Sequence, residues 1–190
     1  MLFYNKGVEQ GGSNLYRVLA GFIRKEAAFP SKEGFFMNTV EMLRQFYDYN
    51  LWANGRVFQA LKESNDEKAV RYFAHILTAE KTWLLRLQTN LDTTGFNFWK
   101  DESIEICEKL LNENKESFDA FFSDLTEEKL EKTATYKNSK GVEFTNTYRE
   151  IFTHVFFHSA YHRGQIATAL RLNDITPPYT DFIGFLREKK

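Results

Sequence analysis

The sequence predicts an all-α protein: a four-helix bundle with one long connection that contains a short β-hairpin. Three observations lead there. Apolar residues recur at three- and four-residue steps through four long stretches, the mark of amphipathic helices. Only 3 Pro and 10 Gly interrupt 190 residues, too little punctuation for a fold of many short strands. Strand-like residues gather in one place only, on either side of a Gly-containing turn. With 43% hydrophobic and 16% aromatic residues, 19 of them Phe, the chain can build a Phe-rich core.

Composition also excludes. Lys and Arg number 25 against 26 Asp and Glu. A dedicated nucleic-acid binder would carry a basic surplus to neutralise phosphates, so no nucleic-acid partner is expected. The single cysteine, Cys107, rules out an internal disulfide framework and a Cys-based zinc site. No apolar run is long enough to span a bilayer, so no membrane partner is expected either. The expectation is a soluble, cytoplasmic protein.

Residues 1–36 read differently from the rest and are expected to be a flexible N-terminal extension, or an upstream extension of the reading frame. Gly11-Gly12-Ser13 and Pro30-Ser31 flank a short stretch from Leu15 to Ile23 that Arg17 interrupts, which is no convincing secretory signal. The domain is expected over 37–190. Its first helix runs from Met37 to about Leu61 on Leu43, Phe46, Tyr47, Val57, Phe58 and Leu61. Asn50 and Asn54 fall on that same stripe, where buried amides need partners. They either support a polar site or form a satisfied packing pair.

Ser64 with Glu67 reads as a capping box opening a second helix to about Leu87. Thr93, Thr94 and Gly95 mark a loop that also holds Asn97 and Trp99. A third helix is expected from about Asp101 to Phe122. Thr133 to Tyr136 and Val142 to Thr145, around Asn138 to Gly141, read as the hairpin. Thr147 with Glu150 is a second capping box, launching a fourth helix to about Leu172. Pro177-Pro178 ends regular helix, and Asp181 to Leu186 is expected to pack back on the body.

The four histidines are His75, His154, His158 and His162. The last three share the fourth helix at four-residue spacing, so either neighbouring pair could chelate one ion. On an ideal wheel His158 and His162 lie within the apolar stripe and His154 at its edge. Two core-facing imidazoles need hydrogen-bond partners or a cation. A third ligand from a facing helix would be His75. Its wheel neighbours are Arg71, Thr78, Thr82 and Arg86, which leaves it either facing the fourth helix or solvated.

Several stretches carry a resemblance. They are Tyr49-Asn50-Leu51-Trp52-Ala53-Asn54, Ala74-His75-Ile76 with Glu80 and Trp83, and His154 to Gln165 ending in His162-Arg163-Gly164-Gln165. Together they resemble the DinB family, the damage-inducible metal-binding four-helix group rather than the translesion polymerase of the same name. The tail from Pro177 to Glu188 is similar as well. The likeness covers Met37 to the end. It implies a divalent metal held by His75, His158 and His162, with His154 a neighbour, and a homodimer formed through the helices. Some members look like bacillithiol S-transferases or mycothiol-using isomerases; many have no established reaction.

Three neutral ligands leave coordination positions open and the ion's charge uncompensated, which favours an incoming thiolate or hydroxide. The first expectation is therefore a metal-dependent transferase joining a low-molecular-weight thiol to a small electrophile. The alternatives are a metal-dependent hydrolase and a non-catalytic, stress-response metal-binding dimer. Asn50, Asn54, Glu80, Tyr161 and Gln165 are candidates for orienting ligands or substrate. Glu80 reads equally as a surface charge or an ion-pair partner of Arg163. Imidazole ligands suit Zn or Ni foremost, with Fe, Mn or Cu compatible.

Overall fold

A computed structural model describes residues 38–64 and 66–189. The expectation for residues 1–36 lies outside them. The chain forms, in order, α1 (Thr39–Lys62), α2 (Glu67–Thr89), α3 (Ile104–Ser123), a short α4 (Glu127–Leu130), β1 (Thr133–Lys137), β2 (Glu143–Thr147), α5 (Tyr148–Leu172) and α6 (Phe182–Glu188). It is an all-α bundle of four long helices, with one antiparallel hairpin in the connection between α3 and α5.

Side-chain caps set the helix starts. Asn38 and Glu41 close a capping box on α1, and Thr147 and Glu150 close the expected one on α5. The box expected at Ser64 and Glu67 does not form. Asp66 caps α2 instead, accepting from the Ala69 N–H at 2.9 Å. Ser64 lies in the turn that ends α1, and its hydroxyl donates to the Leu61 carbonyl at 3.3 Å. A carboxylate at the start of α2 also suits the positive end of the helix dipole better than a hydroxyl. Ser103 caps α3, so that helix begins at Ile104 rather than near Asp101.

The hairpin pairs Thr133 with Thr147 through to Lys137 with Glu143. Its turn depends on Gly141, whose φ of +77° suits glycine. The Asn138 side-chain oxygen accepts from the Lys140 and Val142 N–H groups at 2.9 and 3.0 Å. The C-terminal segment does pack back on the body. The Tyr49 hydroxyl donates to the Thr180 carbonyl at 2.8 Å, and Trp52 Nε1 donates to Glu188 at 2.9 Å.

Two apolar clusters fill the bundle along its length. One gathers Leu43, Tyr47, Phe118, Phe122, Phe152 and Phe156; the other gathers Val57, Phe58, Phe73, Leu77, Ile166 and Leu170. Between them lies a layer of buried polar side chains: Asn50 and Asn54 from α1, Glu80 from α2, Asn114 from α3, and Ser159 and Arg163 from α5. The alternation along each helix explains why polar residues occupy an otherwise apolar stripe. Among the described residues, no helix is long and apolar enough to cross a membrane.

Candidate metal centre

The helix pair with the most extensive packing is α2 against α5, and this decides where His75 faces. The edge of α2 that carries His75, Thr82 and Arg86 is buried, with Thr82 and Arg86 each only 4% exposed. The edge of α2 that looks marginal on a wheel is thus the one that meets α5. There the chain brings three ring nitrogens together. His158 Nε2 lies 3.2 Å from His75 Nε2 and 3.1 Å from His162 Nε2.

Hydrogen bonds at the far side of two rings fix which nitrogen carries the proton. His75 Nδ1 lies 2.9 Å from the Phe98 carbonyl, which only accepts, so Nδ1 must donate. His162 Nδ1 likewise donates to Gln165 Oε1 at 2.6 Å. Both rings therefore present bare Nε2 lone pairs toward the centre. His158 has one Nε2 between them, and its single proton could satisfy at most one partner. A cation answers the lone pairs that hydrogen bonding leaves over. The size also fits, since tetrahedral coordination at 2.0–2.1 Å places ligand nitrogens roughly 3.3 Å apart. His75, His158 and His162 form the group able to share one ion among the described residues. No carboxylate joins it.

Burial keeps these imidazoles neutral, the form in which they ligate. It pushes His158 down from 6.5 to about 3, with the neighbouring histidines adding to the effect. Burial lowers His75 and His162 as well. Aromatic side chains surround the trio. The Trp99 indole stacks on His75 with ring centres 3.7 Å apart and planes 4° from parallel. Tyr72 stacks on His162, and Tyr161 meets the same ring edge-on. Tyr161 is 67% exposed, so the centre sits near the surface. His154 is not among the converging ligands: it lies edge-on to Trp83 one turn before His158, its ring centre 5.5 Å from that of His158.

The remaining sequence candidates separate into two groups. Gln165 touches a candidate ligand, and its amide nitrogen reaches the Tyr161 hydroxyl at 3.4 Å. Asn50, Asn54 and Glu80 belong instead to the polar layer. Each asparagine accepts from Arg163 Nη1, at 2.6 and 2.8 Å, and donates to Glu80 Oε1, at 2.8 and 3.0 Å. Ser159 adds a third donor to that oxygen at 2.9 Å. Glu80 is thus neither a surface charge nor a direct ion-pair partner of Arg163; two amides bridge the opposite charges. Ser159 links this layer to the centre through its place beside His158 on α5.

No sequence signal points to the Phe98 carbonyl, a backbone atom in a loop. Trp99 stands in the loop that Thr93, Thr94 and Gly95 mark in the sequence, beside Phe96 and Phe98.

A helix bundle with three neutral imidazoles converging from two facing helices is compatible with holding a divalent metal ion. The chain belongs to the DinB family, whose sequence pattern matches residues 37–190. It is also similar to Protein DinB of Bacillus subtilis (strain 168), 26% identical over 156 residues, spanning 73% of this chain and 90% of that protein.

Proposed function

We propose that this protein is a metal-dependent transferase that joins a low-molecular-weight thiol, of the bacillithiol type, to a small electrophile. The observation that carries the reading is the convergence of three neutral Nε2 atoms, without a carboxylate, on a partly exposed edge of the bundle. A divalent ion held there, Zn or Ni foremost, supplies a Lewis-acid position that favours an anionic partner such as a thiolate.

The chain's own residues have separate tasks. His75, His158 and His162 hold the ion. Phe98 and Gln165 fix two of those rings from behind. Tyr161 and Trp99 offer aromatic surface at the mouth to the incoming substrate. The polar layer of Glu80, Asn50, Asn54 and Arg163 keeps α1, α2 and α5 in register beneath the site.

The test compares zinc- or nickel-loaded protein on a thiol with a generic electrophile and on a panel of esters and amides. Turnover that rises with added thiol supports the transferase. Thiol-independent cleavage of the panel would replace it with a hydrolase, and no turnover despite tight metal uptake would leave a binding module. The same reading includes a homodimer, for which Phe157, Tyr161 and Leu172 provide exposed apolar surface along α5. Light scattering would show the mass of one chain if that pairing is absent.

A further inference from the structure

We propose that Trp99 is a positioning residue of the metal centre, and that the connection between α2 and α3 acts as a clamp on His75. The inference rests on the three-histidine reading. His75 supplies the only candidate ligand from α2, so its ring must hold its angle without help from a neighbour on the same helix.

Two successive residues of the connection grip that ring. The Phe98 carbonyl accepts from Nδ1 in the plane of the imidazole. The Trp99 indole covers one face of it, nearly parallel and 3.7 Å away. Each constraint leaves a freedom that the other removes. An in-plane hydrogen bond tolerates rotation about its own axis, whereas a stacked ring resists that tilt. Together they fix both the tautomer and the plane that aim Nε2 at His158.

The grip is itself anchored. Asn97 Oδ1 accepts from the Trp99 N–H at 2.9 Å, turning the chain so that the indole lies over His75. Arg71 reaches the Trp99 carbonyl at 3.4 Å and pairs with Asp101 at 3.2 Å. Tyr72 packs edge-on against the indole. Further back, the connection is tied to the hairpin. The Thr93 hydroxyl donates to the Lys137 carbonyl at 2.8 Å, and the Gly95 N–H donates to the Ser139 carbonyl at 3.0 Å. A buried arginine, Arg86, joins the same junction through Thr93 and the Lys137 carbonyl. The hairpin therefore does more than link α3 to α5: it backs the loop that holds the ligand.

The experiment titrates the full chain, stripped with a chelator, with zinc alone against a chromophoric competitor. It compares wild type, Trp99→Phe, Trp99→Leu and His158→Ala, and records the thermal unfolding of each metal-free protein. Trp99→Phe keeps a flat ring and should bind zinc within about threefold of wild type, whereas Trp99→Leu should bind about tenfold or more weakly. A positioning role also requires that metal-free Trp99→Leu unfold at the same temperature as metal-free Trp99→Phe. Zinc affinity of Trp99→Leu equal to wild type, with His158→Ala impaired, overturns the clamp and leaves the metal centre standing. Equal affinity of wild type and His158→Ala overturns the metal centre and the clamp with it.

Discussion

His75 Nε2 and His158 Nε2 lie 3.2 Å apart although 83 positions separate them in the chain. The contact exists because the buried edge of α2 runs along α5. It assigns different consequences to two neighbouring histidines. His158→Ala should lose bound zinc or nickel on dialysis, because it removes the nitrogen common to both close pairs. His154→Ala should keep it, since no nitrogen of that ring is among the three that converge. Elemental analysis of the two purified variants checks both, and metal retained by His158→Ala would remove the site from consideration.

Gln165 offers a subtler probe. Its Oε1 accepts from His162 Nδ1 at 2.6 Å, so it supports a ligand without reaching the ion. Partners of this kind typically contribute 10–100-fold to metal affinity. Gln165→Leu should weaken zinc binding by roughly that factor, while Gln165→Glu, which still accepts, should largely preserve it. Competition titration reads the difference. Equal affinities for Gln165→Leu and wild type would show that His162 needs no such support.

The polar layer should behave as one unit. Glu80 is 4% and Arg163 is 3% exposed, and Arg163 Nε and Nη2 have no partner among the described residues. Glu80→Ala would strand the buried guanidinium and its two bridging amides. The expected loss is about 3–5 kcal/mol by urea unfolding. The double variant Glu80→Leu with Arg163→Met removes both charges together and should recover part of that loss. A single-variant cost under about 1 kcal/mol would mean that water already solvates the layer.

Cys107 should be chemically quiet. Burial, helped by the nearby carboxylates of Glu102 and Glu105, pushes its thiol up to about 12. The shift favours the protonated form, and the thiolate is the reactive one. In the folded protein at neutral pH, iodoacetamide should label it far more slowly than a free thiol, and denaturant should restore the ordinary rate. Rapid labelling of the native protein would show that the second apolar cluster opens readily around it.

The bundle was legible in the sequence because helices are written locally. Three- and four-residue apolar steps, a Thr147–Glu150 box and Pro177-Pro178 each act within a few positions of themselves. Where several local solutions compete, legibility fails. Ser64 and Asp66 both offer a capping oxygen near Glu67, and only the course of the turn after α1 selects Asp66. The amides at 50 and 54 were visible as polar intrusions, but their partners were not. Those partners come from two other helices, Glu80 on α2 and Arg163 on α5.

The sequence alone therefore determined the four long helices, the apolar stripe that carries His158 and His162, and, through its single cysteine, the exclusion of an internal disulfide framework. Its family likeness singled out the third histidine. Only the tertiary structure decided that the His75 edge of α2 is an interior edge, that Phe98 and Gln165 set the tautomers, and that Glu80 and Arg163 meet through amides. The reason is geometric: periodicity records which way a side chain leaves its own helix, while coordination and buried polarity depend on what another helix places opposite it.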